Sequence, residues 1–306
     1  MILKRNSILL QKIKFLWEYT TLFKTFNILI MITKRLSDEV LEVKIEQKNF
    51  SIVWISDLHK DSEFSMWKHV KKYLDDNPNA YIVIGGDSID VMQFVNDKRG
   101  SKTATLEKFN SSDYANKVIE DSRKDIILPY KDRIISWNRG NHDNSIVKHH
   151  NIDLLALICG VDVPIHEYTG YIILNTPVGL RNKRTRLVIH FCHSPFSMGT
   201  RSKGSLGIDI SKATYPSADI WITEHTHDGF IHPVRHEVLC QNNTLEQRNK
   251  WYIQNIAAKQ ETQGKRNGFH FETNKGNRAS GIVELHFIED THNEKLKCNK
   301  VNHILF

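Results

Sequence analysis

Five short polar clusters lie between residues 57 and 227, each at the end of an apolar run. They are Asp57-x-His59, Gly85-Gly86-Asp87, Gly140-Asn141-His142-Asp143, His190 with His193, and His225-x-His227. Carboxylate and imidazole together hold borderline divalent ions: manganese first, with iron, zinc or nickel as alternatives. Asp57 and His59 are two residues apart just past a predicted strand end, so both can reach one ion. Asp87 ends the neighbouring run and is short enough to bridge two ions. Asn141 offers a neutral carbonyl oxygen, and His225 and His227 alternate across one loop and can serve different ions. A single cluster means little in a chain with 16 histidines. The order of the five, and the recurrence of strand then ligand, make the set specific.

Such a set suits phosphate chemistry. Two carboxylates against two divalent ions and a bridging hydroxide leave a net charge of about +1, which binds phosphate and stabilises transition-state charge. Ions about 3.5–4 Å apart also lower the pKa of bound water and clamp an in-line displacement. His142 directly follows a ligand and could protonate the leaving oxygen, with Asp143 orienting its ring. His190 directly follows a predicted strand and is preferred to His193 as a ligand; His193 is left to touch phosphate. Asp90, three residues after Asp87, could partner the site's ligands, and a helix-start carboxylate is the preferred reading. Arg201 and Lys203, in a glycine-bounded loop, are candidates for a phosphate backbone, with a solvated basic loop as the alternative. His149, His150, His166, His232 and His236 read as surface or hydrogen-bonded histidines, and the basic residues from Lys259 to Arg278 as a solvated face.

The elements that must position these groups follow from the apolar patterning. Strands are predicted over residues 40–45, 50–55, 80–84, 133–137, 171–175, 186–189, 218–223, 251–256 and 281–288. Helices are predicted over 66–74, broken by Asn77-Pro78-Asn79, and over 152–158, with Gly160 beyond the end. Strand, helix and strand between the first two clusters imply a parallel pair, and in open α/β sheets ligands gather beyond the carboxyl ends of such strands. Residues 91–130 read as a polar, partly helical excursion closed by Pro129, placed to shape a substrate surface.

The clusters resemble the calcineurin-like metallophosphoesterase family over roughly residues 50 to 230. Asp-x-His, Gly-Gly-Asp and Gly-Asn-His-Asp match as they stand; the last pattern is usually Gly-His-x-His, and here Glu224 stands in place of the glycine. The resemblance implies an α/β fold, a four-layer α-β-β-α sandwich of two packed mixed sheets flanked by helices. It implies Asp57, His59, Asp87 and His227 on one ion, Asp87, Asn141, His190 and His225 on the other, and His142 as general acid. The stretch from His190 to Gly204 resembles a DNA-repair-exonuclease-like branch often carried by phages and mobile elements.

Composition sets the remaining bounds. The chain has 306 residues, 40% of them hydrophobic, enough for one large α/β domain. Four scattered cysteines without CxxC spacing read as free thiols of a reducing, cytoplasmic compartment. The formal net charge of +7 favours polyanionic partners such as nucleic acid. Residues 1–35 read as a basic, apolar extension outside the fold, too broken by lysine to span a bilayer, or as an amphipathic helix that touches a membrane or protein partner. Met31 offers an alternative start, and residues 36–306 form the catalytic domain. The expected function is hydrolysis of a phosphodiester, in nucleic acid or a nucleotide, at a two-metal site. A phosphomonoesterase or protein phosphatase with the same site is the alternative, and a binding module that has lost catalysis is the third reading.

Overall fold

The computed structural model describes residues 31–90, 105–109, 111–179, 183–193, 213–240, 243–260 and 278–306. Apolar runs set the strands: β1 (Met31–Ser37), β2 (Val40–Ile45), β3 (Phe50–Ile55), β4 (Tyr81–Ile84), β5 (Ile134–Asn138), β6 (Ile165–His166), β7 (Thr169–Val178), β8 (Lys183–Cys192), β9 (Ile220–Thr223), β10 (Phe230–Leu239), β11 (Leu245–Gln254), β12 (Gly281–Asp290) and β13 (Lys295–Leu305). They form two mixed sheets, one in the order β1-β2-β7-β8-β9-β11-β10 and the other β13-β12-β3-β4-β5-β6. Trp54 of β3 lies against Phe191 of β8 with ring centroids 5.9 Å apart, so the two sheets meet face to face.

The second sheet carries its parallel strands at the centre. β3 pairs with β4, and β4 with β5, in parallel. The residues of β4 and β5 are all buried, as expected of strands covered on both faces. The covering elements are helices: α1 (Trp67–Asp76), α2 (Tyr114–Ser122), α3 (Asn141–His150) and α4 (Leu154–Cys159). Val70 and Leu74 of α1, Val118 of α2 and Leu154 and Ile158 of α4 share one core with Val53, Ile55, Ile82 and Ile84. At about 1.5–3 kcal/mol for each large apolar side chain removed from water, this layer dominates the stability of the sheet. Among the described residues no helix covers the outer face of the first sheet. Val188, Trp221 and Tyr252 there pack with Tyr171 and Tyr215 instead.

Several expectations change. β1 pairs antiparallel with β2, so the described fold begins at residue 31, not 36. Pro129 does not stop the helix: α2 runs on through a π-helical turn at Arg123–Ile127 into the turn Leu128–Tyr130, which contains the proline, and β5 begins four residues after that turn. Asn141-His142-Asp143 open a helix rather than a loop. β8 runs three residues beyond its predicted end, because β7 pairs with it as far as Thr169↔Cys192. Residues 1–30 lie outside the described residues, and no described helix is long and apolar enough to cross a membrane. None of the four cysteines forms a disulfide.

Candidate metal centre

The ligand loops leave the carboxyl ends of β3, β4, β5, β8 and β9. Three groups of side chains bring metal-ligating atoms within 4.8 Å of one another: Asp57, Asp87, His193 and His225; Asp57, His59 and His227; and His59, Asp90 and His142. Their backbones are constrained. Asp57, His59, Asp87, His225 and His227 have φ of 50°, 44°, 55°, 77° and 60°, the left-handed region that non-glycine residues seldom enter. Cross-loop bonds hold them there, from Asp57 N to Gly86 O at 2.9 Å and from His59 N to Asp87 O at 3.1 Å. Any side chain at Gly86 would collide with the ring of His193.

Buried polar atoms normally have hydrogen-bond partners. Here His59 Nε2 and Asn141 Oδ1 are buried without one, while Asp57 Oδ1, His193 Nε2 and His225 Nδ1 face other ligand atoms, 3.3 Å from His227 Nε2 and 3.1 and 3.8 Å from Asp87 Oδ2. All are metal-donor atoms of the types that suit borderline divalent ions, so the residues present fit two such ions. Charge points the same way. Burial would raise the Asp57 carboxyl, but the hydrogen bond and charge of His227 hold it below the usual carboxylate range. Burial is likewise outweighed at Asp87, where His193 and His142 hold the carboxyl well below that range. Burial would lower His193, yet the carboxylates of Asp87 and Glu224 lift it well above its ordinary value. The carboxylates therefore stay ionised and draw compensating positive charge inward, the place a divalent cation would take.

Four sequence-based expectations are corrected. His190 is not at the site. It sits inside β8, stacked on Tyr215 with centroids 3.7 Å apart, its Nε2 3.1 Å from Thr169 Oγ1, and burial lowers its pKa to about 4. His193, one residue past β8, takes the ligand position, with Nε2 3.1 Å from Asp87 Oδ2. Asp57 is common to the first two groups, and Asp87, expected to bridge, falls in the first of them. Asp143 does not orient His142. Its Oδ2 accepts from the backbone N–H of Asp87 at 2.9 Å and of Gly140 at 2.8 Å, tying the α3 start to the β4 loop, while burial and the charge of Asp87 raise its carboxyl to about 7.

Asp90 holds the His142 ring instead, with Oδ1 2.9 Å from His142 Nδ1. The same oxygen lies 2.7 Å from His59 Nδ1, which turns His59 Nε2 toward the ligand group. Burial would raise Asp90, but Lys259 and then His59 hold it well below the usual range. The Lys259 side chain is only 7% exposed, its ammonium 3.9 Å from Asp90 Oδ2, so it belongs to the site's support and not to a solvated face. Burial, followed by the Lys259 charge, pushes His59 down to about 4, keeping it neutral as a ligand must be. Beneath this loop the buried Lys60 bridges to Asp121 and to Asp125 at 3.1 Å, and Tyr114 bonds Asp61. The excursion's described part thus braces the Asp57–His59 loop from behind.

Asp90, for which a helix-start role was preferred, supports the site, and the signal for that was its spacing of three from Asp87. Glu224 was given no role by the sequence; its signal was an acid between a wholly buried strand and His225. His166, read as a surface or hydrogen-bonded histidine, is buried with neither ring nitrogen bonded, and burial lowers it to about 4. Arg201 and Lys203 lie outside the described residues.

Comparison with known proteins agrees with this geometry. No curated protein matches the sequence. Among solved structures, Vps29 of Chaetomium thermophilum is similar at 11% identity, with 84% of this chain and 94% of that one covered and a TM-score of 0.33. GAP50, titled the anchor in the inner membrane complex of Plasmodium, is similar at 11% identity, with 85% and 90% covered and a TM-score of 0.40. At that level neither bears on activity. Residues 50–229 match the calcineurin-like phosphoesterase family. Because that match runs from the first residue of β3 to just past His227, it takes in every candidate ligand and more than half of the chain, which therefore belongs to the calcineurin-like phosphoesterase family.

Proposed function

We propose that the protein is a metal-dependent phosphoesterase acting on a phosphodiester, in nucleic acid or a nucleotide. The observation that carries the reading is the convergence of ligand atoms from Asp57, His59, Asp87, Asn141, His193 and His225, with His59 Nε2 and Asn141 Oδ1 buried and unpaired, beside an Asp90–His142 pair. A fold kept only for binding has no use for unpaired buried polar atoms, each worth about 1–3 kcal/mol of lost stability.

Asp57, His59 and His227 would hold one ion, and Asp57, Asp87, Asn141, His193 and His225 the other. Bound there, the two ions would lower the pKa of water and neutralise charge on a phosphoryl group. The chain's own contributions surround that centre. Asp90 accepts a hydrogen bond from the Nδ1–H of His142, which leaves the imidazolium free to donate its Nε2 proton to the leaving oxygen. The backbone N–H of His142 donates to Asp87 Oδ1 at 2.7 Å, which ties the acid to the ligand group at fixed separation. Burial of Asp57, Asp87 and His193 excludes water from the far side of the site and strengthens each electrostatic contact. The net charge of +7 favours an extended polyanion.

The test is manganese-dependent hydrolysis of bis-p-nitrophenyl phosphate, p-nitrophenyl phosphate, and single- and double-stranded DNA. Diester preference is expected, with His142→Ala lowering kcat by about 100- to 10,000-fold. Monoester preference would overturn the diester assignment, and inactivity with manganese, nickel, zinc and iron alike would overturn the catalytic one.

A further inference from the structure

Glu224 occupies the position where the family motif usually has glycine, and its carboxylate is fully buried. An ionisable group taken wholly out of water is costly unless it is paired and hydrogen-bonded. Glu224 is both. Oε1 accepts from the Trp54 indole Nε1–H at 2.5 Å. Oε2 accepts from the backbone N–H of Gly86 at 2.8 Å and faces His193 Nδ1 at 3.0 Å. These partners come from β3, from the loop after β4 and from the end of β8, so one side chain joins both sheets at the ligand edge. The space for it exists only because Gly85 is a glycine; a Cβ there would collide with Oε1. The backbone is pinned as well, Glu224 N donating to Cys192 O at 3.1 Å and Gln254 Nε2 to Glu224 O at 3.3 Å.

We infer that Glu224 is a positioning residue for the metal centre: it holds the proton of His193 on Nδ1, so that Nε2 presents its lone pair beside Asp87 and His225. The inference rests on the two-metal reading above. A histidine ligand whose other nitrogen donates to a carboxylate is fixed in tautomer and ring orientation and is more basic toward its ion, and loss of such a partner costs about 10- to 100-fold in metal affinity or activity. A glycine at position 224 offers no such acceptor. Through Gly86 the same oxygen also sets the approach of the loop that carries Asp87.

The experiment titrates Mn²⁺ into the full-length protein and its Glu224→Gln variant, following free Mn²⁺ by electron paramagnetic resonance. Glutamine keeps the shape but must turn its NH₂ toward a donor, either Trp54 or the Gly86–His193 pair. The wild type should bind two equivalents. The variant should bind one of them about 10- to 100-fold more weakly, with the other changed less than about threefold. Two equivalents bound by both proteins with equal affinity would overturn the inference while leaving the metal reading intact. A wild type that binds no Mn²⁺ would overturn the metal reading. Nitrogen-15 spectra of the wild-type histidines then decide the positioning role, and they decide it also if the variant fails to fold. His193, assigned by its loss in His193→Asn, should stay protonated at Nδ1 wherever the protein is folded, and a proton on Nε2 alone would overturn the role.

Discussion

The two sheets meet the metal centre in different ways. On the six-stranded side, β3, β4 and β5 are short parallel strands that stop together, and Asp57, Asp87 and Asn141 follow their ends by two or three residues. On the seven-stranded side, β8 is drawn past the common edge by its antiparallel partner β7, and the ligand arrives only at His193. His190 falls within the ladder, opposite Tyr171, where alternation sends it away from Phe191, the residue that faces Trp54 of the other sheet. Where β8 ends depends on how far its neighbours' ladders run, to Cys192 on both sides, and a single strand's sequence does not carry that information.

The largest expected effect sets the two histidines of β8 against each other. His193→Ala should lose one equivalent of bound Mn²⁺ and more than the roughly 100-fold in kcat/KM that an outer partner commands, while His190→Ala keeps both equivalents. The reverse result, read by metal titration and rate, would restore the strand-end assignment. Next comes the pair of aspartates. Asp90→Asn should lower kcat by about 10- to 100-fold and flatten the limb of the pH–rate profile that reports the acid. Asp143→Asn should lower the melting temperature and leave the profile in place, because its contacts are backbone N–H groups. A shifted profile in Asp143→Asn with none in Asp90→Asn would return the orienting role to Asp143.

The smallest effect concerns buried histidines away from the ligands. His166 and His190 are both held near pKa 4 by burial, below the usual value of 6.5. A depressed folded-state pKa means that the unfolded chain takes up the proton first. The stability is therefore fully present above 6.5 and is lost as pH falls toward 4. Between pH 7 and 5.5 the loss is about 1 kcal/mol for each histidine. Urea unfolding of metal-free protein should show it, and His190→Phe, which keeps the stack on Tyr215, should remove one histidine's share. An unchanged slope would mean that His190 titrates normally.

The six-stranded side was the more legible in sequence. Asp57, His59, Asp87 and Asn141 followed directly from apolar runs and short spacing, because nothing but local chain geometry places them. His225 and His227 were legible for the same reason, after the four buried residues of β9. What stayed hidden depends on partners distant in sequence. Asp90 acquires its role from His59, His142 and Lys259, which are up to 169 residues away by number and meet only in the fold. Glu224 looked like a departure from a motif until Trp54, Gly86 and His193 were seen around it. The strands β10 and β13 are half exposed and carry no unbroken apolar run to betray them.

The left-handed backbone at Asp57, His59, Asp87, His225 and His227 has a consequence for how this protein can change over time. Each such residue carries an energetic cost of order 1–3 kcal/mol that glycine would largely avoid, though less for aspartate, which visits this region more readily. Replacement by glycine at any of the five would relieve that cost, but at Asp57 and Asp87 it would also remove the acceptors of the His225 and His142 backbone N–H groups, at 3.2 and 2.7 Å. Easing the backbone there loosens the loops at the same time, so these positions can change only at the expense of the site's shape.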